Sequence, residues 1–132
     1  MRDEWDVLVV DDEPVVRDGI RLVLKAAGMR VATAEDAHSA IAHPAATVCR
    51  LVMCDLMLPD HSGIQVLRAL RAARPDLPVV MITGYATSEN HELALEAGAT
   101  DFLAKPFEES ELLVVVRRAL GGDEASSDRR KA

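Results

Sequence analysis

The chain has 132 residues, of which 49% are hydrophobic and 28% are charged, and its formal net charge is −7. This length and composition are typical of one globular domain whose core needs no disulfide or metal to be stable. The negative charge argues against unaided binding to DNA or to an anionic membrane surface, because both require cationic side chains. We therefore expect no direct binding of nucleic acid and no membrane association.

The sequence contains no pattern of a targeting or membrane-spanning segment. The first six residues are largely charged, and no apolar stretch of signal-peptide length follows them. No apolar run approaches the roughly 20 residues of a transmembrane helix. The two cysteines, Cys49 and Cys54, lack the spacing and the histidine partners of a zinc site. We expect a cytoplasmic protein whose two thiols are buried and reduced.

Short apolar runs alternate with segments of helical periodicity along the chain. Such runs are typical of strands buried on both faces of a parallel sheet. In chain order the sequence predicts strands at 6–10, 30–34, 51–54, 79–82 and 100–104, and helices at 13–27, 36–43, 63–73, 89–97 and 109–120. Five strands alternating with five helices predict a flavodoxin-like, doubly wound α/β fold with a parallel sheet of strand order 2-1-3-4-5.

The last twelve residues differ in composition from the rest of the chain. Residues 121–132 are small and polar, and we expect a disordered tail or the start of a linker there. The folded domain is therefore expected to span residues 1–120.

Four of the predicted strands end in polar residues. Asp11 and Asp12 follow the first strand, and Asp55 follows the third. These two strands are neighbours where the strand order reverses, and ligands of open α/β sheets bind there, beyond the carboxyl ends of the strands. Three clustered carboxylates stay ionised only with a cation among them. Oxygen ligands completed by water suit Mg²⁺, so the pattern predicts a magnesium site.

The two remaining strand ends suit a phosphoryl group better than a metal. Thr83 offers a hydroxyl donor after the fourth strand, and Lys105 offers an ammonium after the fifth. A carboxylate such as Asp55 can attack phosphorus and form an aspartyl phosphate. Phosphoryl transfer mainly requires alignment and charge stabilisation. The strand ends together therefore predict a Mg²⁺-dependent phosphoryl-transfer site.

From residue 7 to residue 120, the sequence resembles the receiver domain of bacterial two-component response regulators, the CheY-like superfamily. The resemblance rests on motifs that occur in the family's order and at similar spacings. They are the acid pair Asp11-Asp12, the acceptor Asp55 with Pro59 four and Gly63 eight residues later, Thr83 with the small Gly84 after it, and Lys105-Pro106 before Phe107.

The resemblance implies a role for each matching residue. Asp55 would accept phosphate from a sensor histidine kinase or a phosphotransfer protein. Asp12, Asp55 and the backbone carbonyl of Met57 would ligate Mg²⁺, and Asp11 would act through water. Thr83 and Lys105 would bind the phosphoryl oxygens. The domain would catalyse only its own phosphorylation and slow dephosphorylation, and would not be an enzyme in the usual sense.

The resemblance also assigns roles around this centre. Phe102 would turn inward when Thr83 moves, so that the two form the conformational switch. Met57 and Tyr85 occupy positions that resemble those tuning the lifetime of the phosphate. The Lys105–Pro106 bond would be cis, and Pro59, Gly63, Gly84 and Pro106 would be structural. Glu13 is interpreted as an acid that complements the helix dipole and lies near the water shell of the metal.

The last predicted helix carries more apolar residues than one face can bury. If Leu112, Leu113, Val116, Ala119 and Leu120 form the buried face, Val114 and Val115 are exposed. In receivers, the face formed by the fourth helix, the fifth strand and the fifth helix commonly carries dimer or output contacts. We therefore expect Val114 and Val115 to belong to a partner surface, such as that of a homodimer.

Two other functions explain part of this pattern. A Mg²⁺-dependent phosphohydrolase also forms an aspartyl phosphate, but such enzymes commonly need a second acid two residues after the nucleophile. Met57 occupies that position here and cannot transfer a proton. A constitutive protein-interaction module would not require the complete set of acids. A phosphorylatable signalling switch is therefore the leading hypothesis.

Overall fold

The computed structural model describes residues 5–121. Its elements, in chain order, are β1 (Val7–Val10), α1 (Pro14–Ala26), β2 (Val31–Ala34), α2 (Ala37–Ala42), a 3₁₀ helix (Pro44–Thr47), β3 (Leu51–Asp55), α3 (Gly63–Ala73), β4 (Val79–Thr83), α4 (Ser88–Glu96), β5 (Asp101–Ala104) and α5 (Glu109–Ala119). Apart from Gly121, the predicted tail lies outside the described residues. None of the helices between residues 5 and 121 combines the length and apolar character that crossing a bilayer requires.

The five strands form one parallel sheet in the order β2-β1-β3-β4-β5. This confirms the predicted fold class and strand order. Every residue of β1, β3 and β4 is buried, because helices cover both faces of the sheet. Their sequences are therefore continuous apolar runs, whereas the edge strand β2 alternates between buried and half-buried residues.

Alternate residues of each strand enter two separate aliphatic cores, one on each face of the sheet. Leu8 and Val10 belong to the core that is covered by α2 and α3. Val7 and Val9 belong to the opposite core, which is covered by α1 and α5. Cys49 and Cys54 are buried and unpaired, as predicted, and burial raises the pKa of both thiols. The two cores bury both faces of the sheet and leave the carboxyl ends of its strands as the edge on which side chains can act.

The region between β2 and β3 differs from the prediction. Helix α2 is shorter than expected, because Asp36 lies before it as its N-cap and accepts a 2.7 Å hydrogen bond from the Ser39 N–H. Pro44 begins the 3₁₀ helix, where a residue without an N–H is well tolerated. A single turn of this kind is too short to produce a periodic pattern in the sequence.

Helix α5 also corrects one prediction. Its buried residues are Leu112, Val115 and Val116, which follow the helical spacing of three and four residues. Val114 is 52% exposed, as predicted, but Val115 is only 6% exposed, so the prediction that it lies on a surface is wrong. The consecutive apolar residues 112–116 allow more than one choice of buried face, and the prediction chose the wrong one.

Candidate functional site

The register of the sheet brings the predicted residues to one edge. Val10 pairs with Cys54, so Asp11 and Asp55 follow at the same level on adjacent strands. On the other side of β3, Asp55 pairs with Ile82, the residue before Thr83. Lys105 comes directly after the end of β5, and its N–H donates a 2.8 Å hydrogen bond to the Thr83 carbonyl. Segments far apart in the sequence therefore converge.

Asp11, Asp12 and Asp55 form an acid cluster in which one oxygen of each carboxylate lies within 4.8 Å of the others. Asp11 is fully buried and Asp55 is 5% exposed, whereas Asp12 is exposed. Burial raises the pKa of Asp11, and the nearby charge of Asp55 raises it further. The acid cluster thus concentrates negative charge at the edge of the core.

The hydrogen bonding of Asp11 tests whether a metal ion fits this cluster. Its Oδ1 atom accepts a 2.9 Å hydrogen bond from the Glu13 N–H. Its Oδ2 atom is buried and accepts no hydrogen bond from any described residue. Lys105 Nζ lies 3.0 Å from this oxygen but does not satisfy it with a hydrogen bond, so a further cation would offset the cost of burying it. Three carboxylates with an unsatisfied oxygen among them fit a hard divalent ion such as Mg²⁺.

The ammonium of Lys105 lies among three carboxylates. Its Nζ atom donates to Asp55 Oδ2 at 2.7 Å and to Glu13 Oε1 at 2.5 Å, and it lies 3.0 Å from Asp11 Oδ2 without hydrogen-bond geometry. Burial disfavours the charged ammonium, but these carboxylates outweigh it and raise the pKa of Lys105 above its ordinary value. Lys105 is therefore a permanent cation beside Asp55.

The loop between β3 and α3 holds the carboxylate of Asp55 in place. Asp55 Oδ1 accepts a 3.0 Å hydrogen bond from the Met57 N–H. Gly63 packs so closely that a Cβ atom there would lie 2.2 Å from the Asp55 carbonyl oxygen. The Ser62 side chain caps α3 by accepting from the Ile64 N–H. The tight fit at Gly63 explains why a glycine is needed eight residues after Asp55.

The other predicted site residues differ in how deeply they are buried. Thr83 is fully buried, and its Oγ1 atom accepts a 2.9 Å hydrogen bond from the Tyr85 N–H. Met57 and Tyr85 are more than half exposed beside the acid cluster. Phe102 is half-buried, and its ring centroid lies 5.0 Å from that of His91 in α4. The switch residues thus lie on neighbouring strands, with Phe102 packed against α4.

Three further residues were predicted to be structural, and they are Pro106, Gly84 and Pro59. The Lys105–Pro106 peptide bond is cis. At Gly84 a Cβ atom would meet nothing within 4 Å, so packing does not require glycine there. Pro59 is exposed on the loop that follows Asp55.

An open cavity of about 940 Å³ lies over the acid cluster. Its polar lining includes Asp12, Asp55 and Lys105, and its apolar lining includes Val15, Val16 and Phe107. Asp55 is therefore reachable from solvent although it is nearly buried. A donor that carries a phosphoryl group could approach Asp55 through this cavity.

Two contacts at this edge of the sheet were not predicted from the sequence. Glu13 pairs with Lys105, 92 residues away, and was interpreted only as an acid near the helix end and the metal's water shell. Asp60 accepts hydrogen bonds from the N–H groups of Ala37 and His38, at 2.9 and 3.0 Å, and so ties the loop after β3 to the start of α2. These backbone hydrogen bonds lower the pKa of Asp60. Neither contact has a local sequence signal, because both depend on tertiary placement.

Comparison with known proteins gives consistent matches over most of the chain. Residues 7–117 match the family model of the response regulator receiver domain. The chain is 40% identical over 114 residues to the probable transcriptional regulatory protein TcrX of Mycobacterium tuberculosis, a match covering 86% of this chain and 49% of TcrX. It is 40% identical over 117 residues to the C4-dicarboxylate transport transcriptional regulatory protein DctD of Pseudomonas aeruginosa, covering 89% of this chain and 25% of DctD.

A solved structure extends the similarity to the fold. The receiver domain of NtrX from Brucella abortus matches with a TM-score of 0.82 at 39% identity, covering 89% of this chain and 99% of that domain. The chain therefore spans about half of TcrX and a quarter of DctD, but nearly all of the NtrX receiver domain.

Proposed function

The chain belongs to the response regulator receiver domain family, and from this membership we propose that it is a signalling switch phosphorylated on Asp55. A sensor histidine kinase or a phosphotransfer protein would be the donor. The observation that supports this most strongly is the position of Asp55, where the acid cluster, the Lys105 ammonium and the open cavity meet.

The reaction requires one bond to form and one to break. An oxygen of Asp55 attacks the phosphorus of the donor, the bond from phosphorus to the donor's nitrogen or oxygen breaks, and an aspartyl phosphate results. The hydrogen bond from the Met57 N–H holds the attacking carboxylate in a fixed orientation. Lys105 stabilises the negative charge on the phosphoryl oxygens.

We assign the metal site to the acid cluster. Asp12, Asp55 and the Met57 carbonyl would hold Mg²⁺, with Asp11 acting through water. When bound, Mg²⁺ supplies the positive charge that lets phosphoryl oxygens approach three carboxylates. The unsatisfied Asp11 Oδ2 atom supports this assignment.

The output of the switch would depend on Thr83 and Phe102. The Thr83 hydroxyl accepts the Tyr85 N–H and keeps its own hydrogen to donate to a phosphoryl oxygen. Movement of Thr83 would open space on β4 and favour an inward position of Phe102, away from His91. Phosphorylation would thereby shift a two-state equilibrium. The exposed side chains of Met57 and Tyr85 would limit the access of water and so set the lifetime of the phosphate.

Partners and location follow from the same proposal. The exposed Val114 would contribute to a dimer or output surface, and a cytoplasmic location would suit exchange with a kinase. The matching relatives are named as transcriptional regulators and are two to four times as long as the aligned region. The predicted absence of nucleic-acid binding therefore concerns this domain alone and remains a prediction.

Intact-mass spectrometry after incubation with phosphoramidate tests the proposal. We expect one phosphate adduct in the presence of Mg²⁺, and none without Mg²⁺ or in Asp55→Asn. A full adduct in Asp55→Asn would contradict it. Continuous release of phosphate from small phosphate esters would instead support the phosphohydrolase hypothesis.

A further inference from the structure

The ammonium of Lys105 is enclosed by three carboxylates. Its Nζ atom donates hydrogen bonds to Asp55 and Glu13 and forms an ion pair with Asp11 at 3.0 Å. An incoming phosphoryl group that binds Lys105 must therefore displace one of these contacts. The ease of donor binding therefore depends on which of the three carboxylates moves away from Lys105.

The three carboxylates differ in their freedom to move. Asp11 is fully buried, and the side chain of Asp55 is 7% exposed and held by the Met57 N–H. The side chain of Glu13 is 58% exposed. Glu13 is therefore the partner that can rotate into solvent at the lowest cost.

The ion pair between Glu13 and Lys105 is not explained by a helix-capping role of Glu13. Glu13 is the N-cap residue of α1, but its side chain accepts no capping hydrogen bond from that helix. Among the described residues, Lys105 is the only one that its side chain pairs with through a hydrogen bond or an ion pair. The side chain is thus free to serve the reaction at Asp55.

We propose that Glu13 is a specificity-determining residue for phosphodonors, because it occupies Lys105 and competes with the incoming phosphoryl group. This inference depends on the proposed phosphorylation of Asp55. The negative charge of Glu13 both neutralises the lysine and repels anionic donors at the mouth of the site. The more negative the donor, the more strongly Glu13 opposes its binding.

The test compares Glu13→Gln with a matched control, Glu109→Gln. Glu109 lines the same cavity, and its side chain forms neither a hydrogen bond nor an ion pair with any described residue. Both variants remove one negative charge from the cavity, but only the first removes a charge that is paired with Lys105. Glu13 is exposed, so we expect both variants to fold, which thermal melting would check.

Three quantities separate competition for Lys105 from a structural or metal-binding role. At saturating Mg²⁺, we expect Glu13→Gln to lower the half-saturating concentration of beryllofluoride, a noncovalent phosphoryl mimic, about two- to fivefold, as for loss of an exposed ion pair. The rate constant with acetyl phosphate should rise by a similar factor, and that with the less negative phosphoramidate should rise less. The dissociation constant of Mg²⁺, measured by calorimetry, should match that of Glu109→Gln.

Equal effects of the two variants, weaker beryllofluoride binding in Glu13→Gln or a specific loss of Mg²⁺ affinity would each overturn the inference. If the wild-type protein is phosphorylated on Asp55 and Glu13→Gln behaves like the control, only the role of Glu13 fails. If the wild-type protein takes no phosphate on Asp55, the proposed function fails and the role of Glu13 fails with it.

Discussion

The ammonium nitrogen of Lys105 lies 2.7 Å from the Oδ2 atom of Asp55, although 50 residues separate them in the sequence. The parallel sheet produces this contact, since β3, β4 and β5 are adjacent and end at the same edge. The lysine offsets part of the negative charge that Asp11 and Asp12 place around Asp55. It can also stabilise charge on a phosphoryl group that approaches Asp55.

Removal of this lysine should affect two measurements in opposite directions. We expect Lys105→Met to slow phosphorylation by small donors about 100-fold, because a charged donor to the phosphoryl oxygens is lost. The same change should tighten Mg²⁺ binding, because a competing cation leaves the acid cluster. Initial rates and calorimetry would measure the two effects. Lys25→Met, on the exposed side of α1, is the control. An unchanged rate would exclude the proposed role of Lys105.

The ionised carboxylate of Asp11 is buried in the acid cluster and should therefore lower the stability of the folded domain. We expect Asp11→Asn to raise the free energy of unfolding at neutral pH without Mg²⁺ by about 1 kcal/mol, and to weaken Mg²⁺ binding. Burial raises the pKa of Asp11, so the neutral form costs no stability at low pH, and stability is lost as the pH rises through that raised pKa and the carboxylate ionises. The advantage of Asp11→Asn should therefore shrink as the pH falls. Urea unfolding at several pH values would show this, and an advantage that grew in acid would contradict it.

The close packing at Gly63 predicts a loss of stability on substitution. We expect Gly63→Ala to lower the free energy of unfolding by about 2 kcal/mol, because the new methyl group would overlap the Asp55 carbonyl. Gly84→Ala is the matched control, since a Cβ atom there meets nothing within 4 Å. Denaturant unfolding of both variants is the measurement. Equal stabilities would show that the loop after β3 can shift freely.

The exposed Val114 allows a test of the proposed partner surface. We expect Val114→Glu to weaken any self-association of the phosphorylated protein and to leave phosphorylation of Asp55 unchanged, because Val114 is 52% exposed and outside the site. Leu22→Glu, at a similarly exposed position of α1, is the control. Light scattering before and after phosphorylation would measure the effect. Self-association that is insensitive to Val114→Glu would remove α5 from this role.

The sheet could be predicted because its central strands are buried on both faces and therefore appear as unbroken apolar runs. The predicted strands ended one residue early at β3 and β4, since Asp55 and Thr83 are polar but still belong to the strands. The orientation of α5 was predicted wrongly, and Val115 was placed on the exposed side, because the consecutive apolar residues 112–116 allow more than one choice of buried face. Periodicity locates elements well, but it leaves the buried face ambiguous where apolar residues are consecutive.

The acid cluster and Lys105 could be predicted for a related reason. In a parallel sheet, the residues that follow the strands must meet, whatever lies between them. The contacts of Glu13 and Asp60 depend instead on the conformation of loops and long side chains. Such contacts become visible only when the packing of the whole domain is known.

We expect Asp55 alone to carry the phosphoryl group, and chemical trapping would identify the modified residue. Borohydride reduces an aspartyl phosphate to homoserine, which peptide mass mapping can locate in the chain. After treatment with acetyl phosphate and Mg²⁺, we expect homoserine at position 55 and at no other aspartate, with none formed when Mg²⁺ is withheld. Conversion of Asp11 or Asp12 in place of Asp55, or of no aspartate in a protein that binds Mg²⁺, would be incompatible with phosphorylation of Asp55.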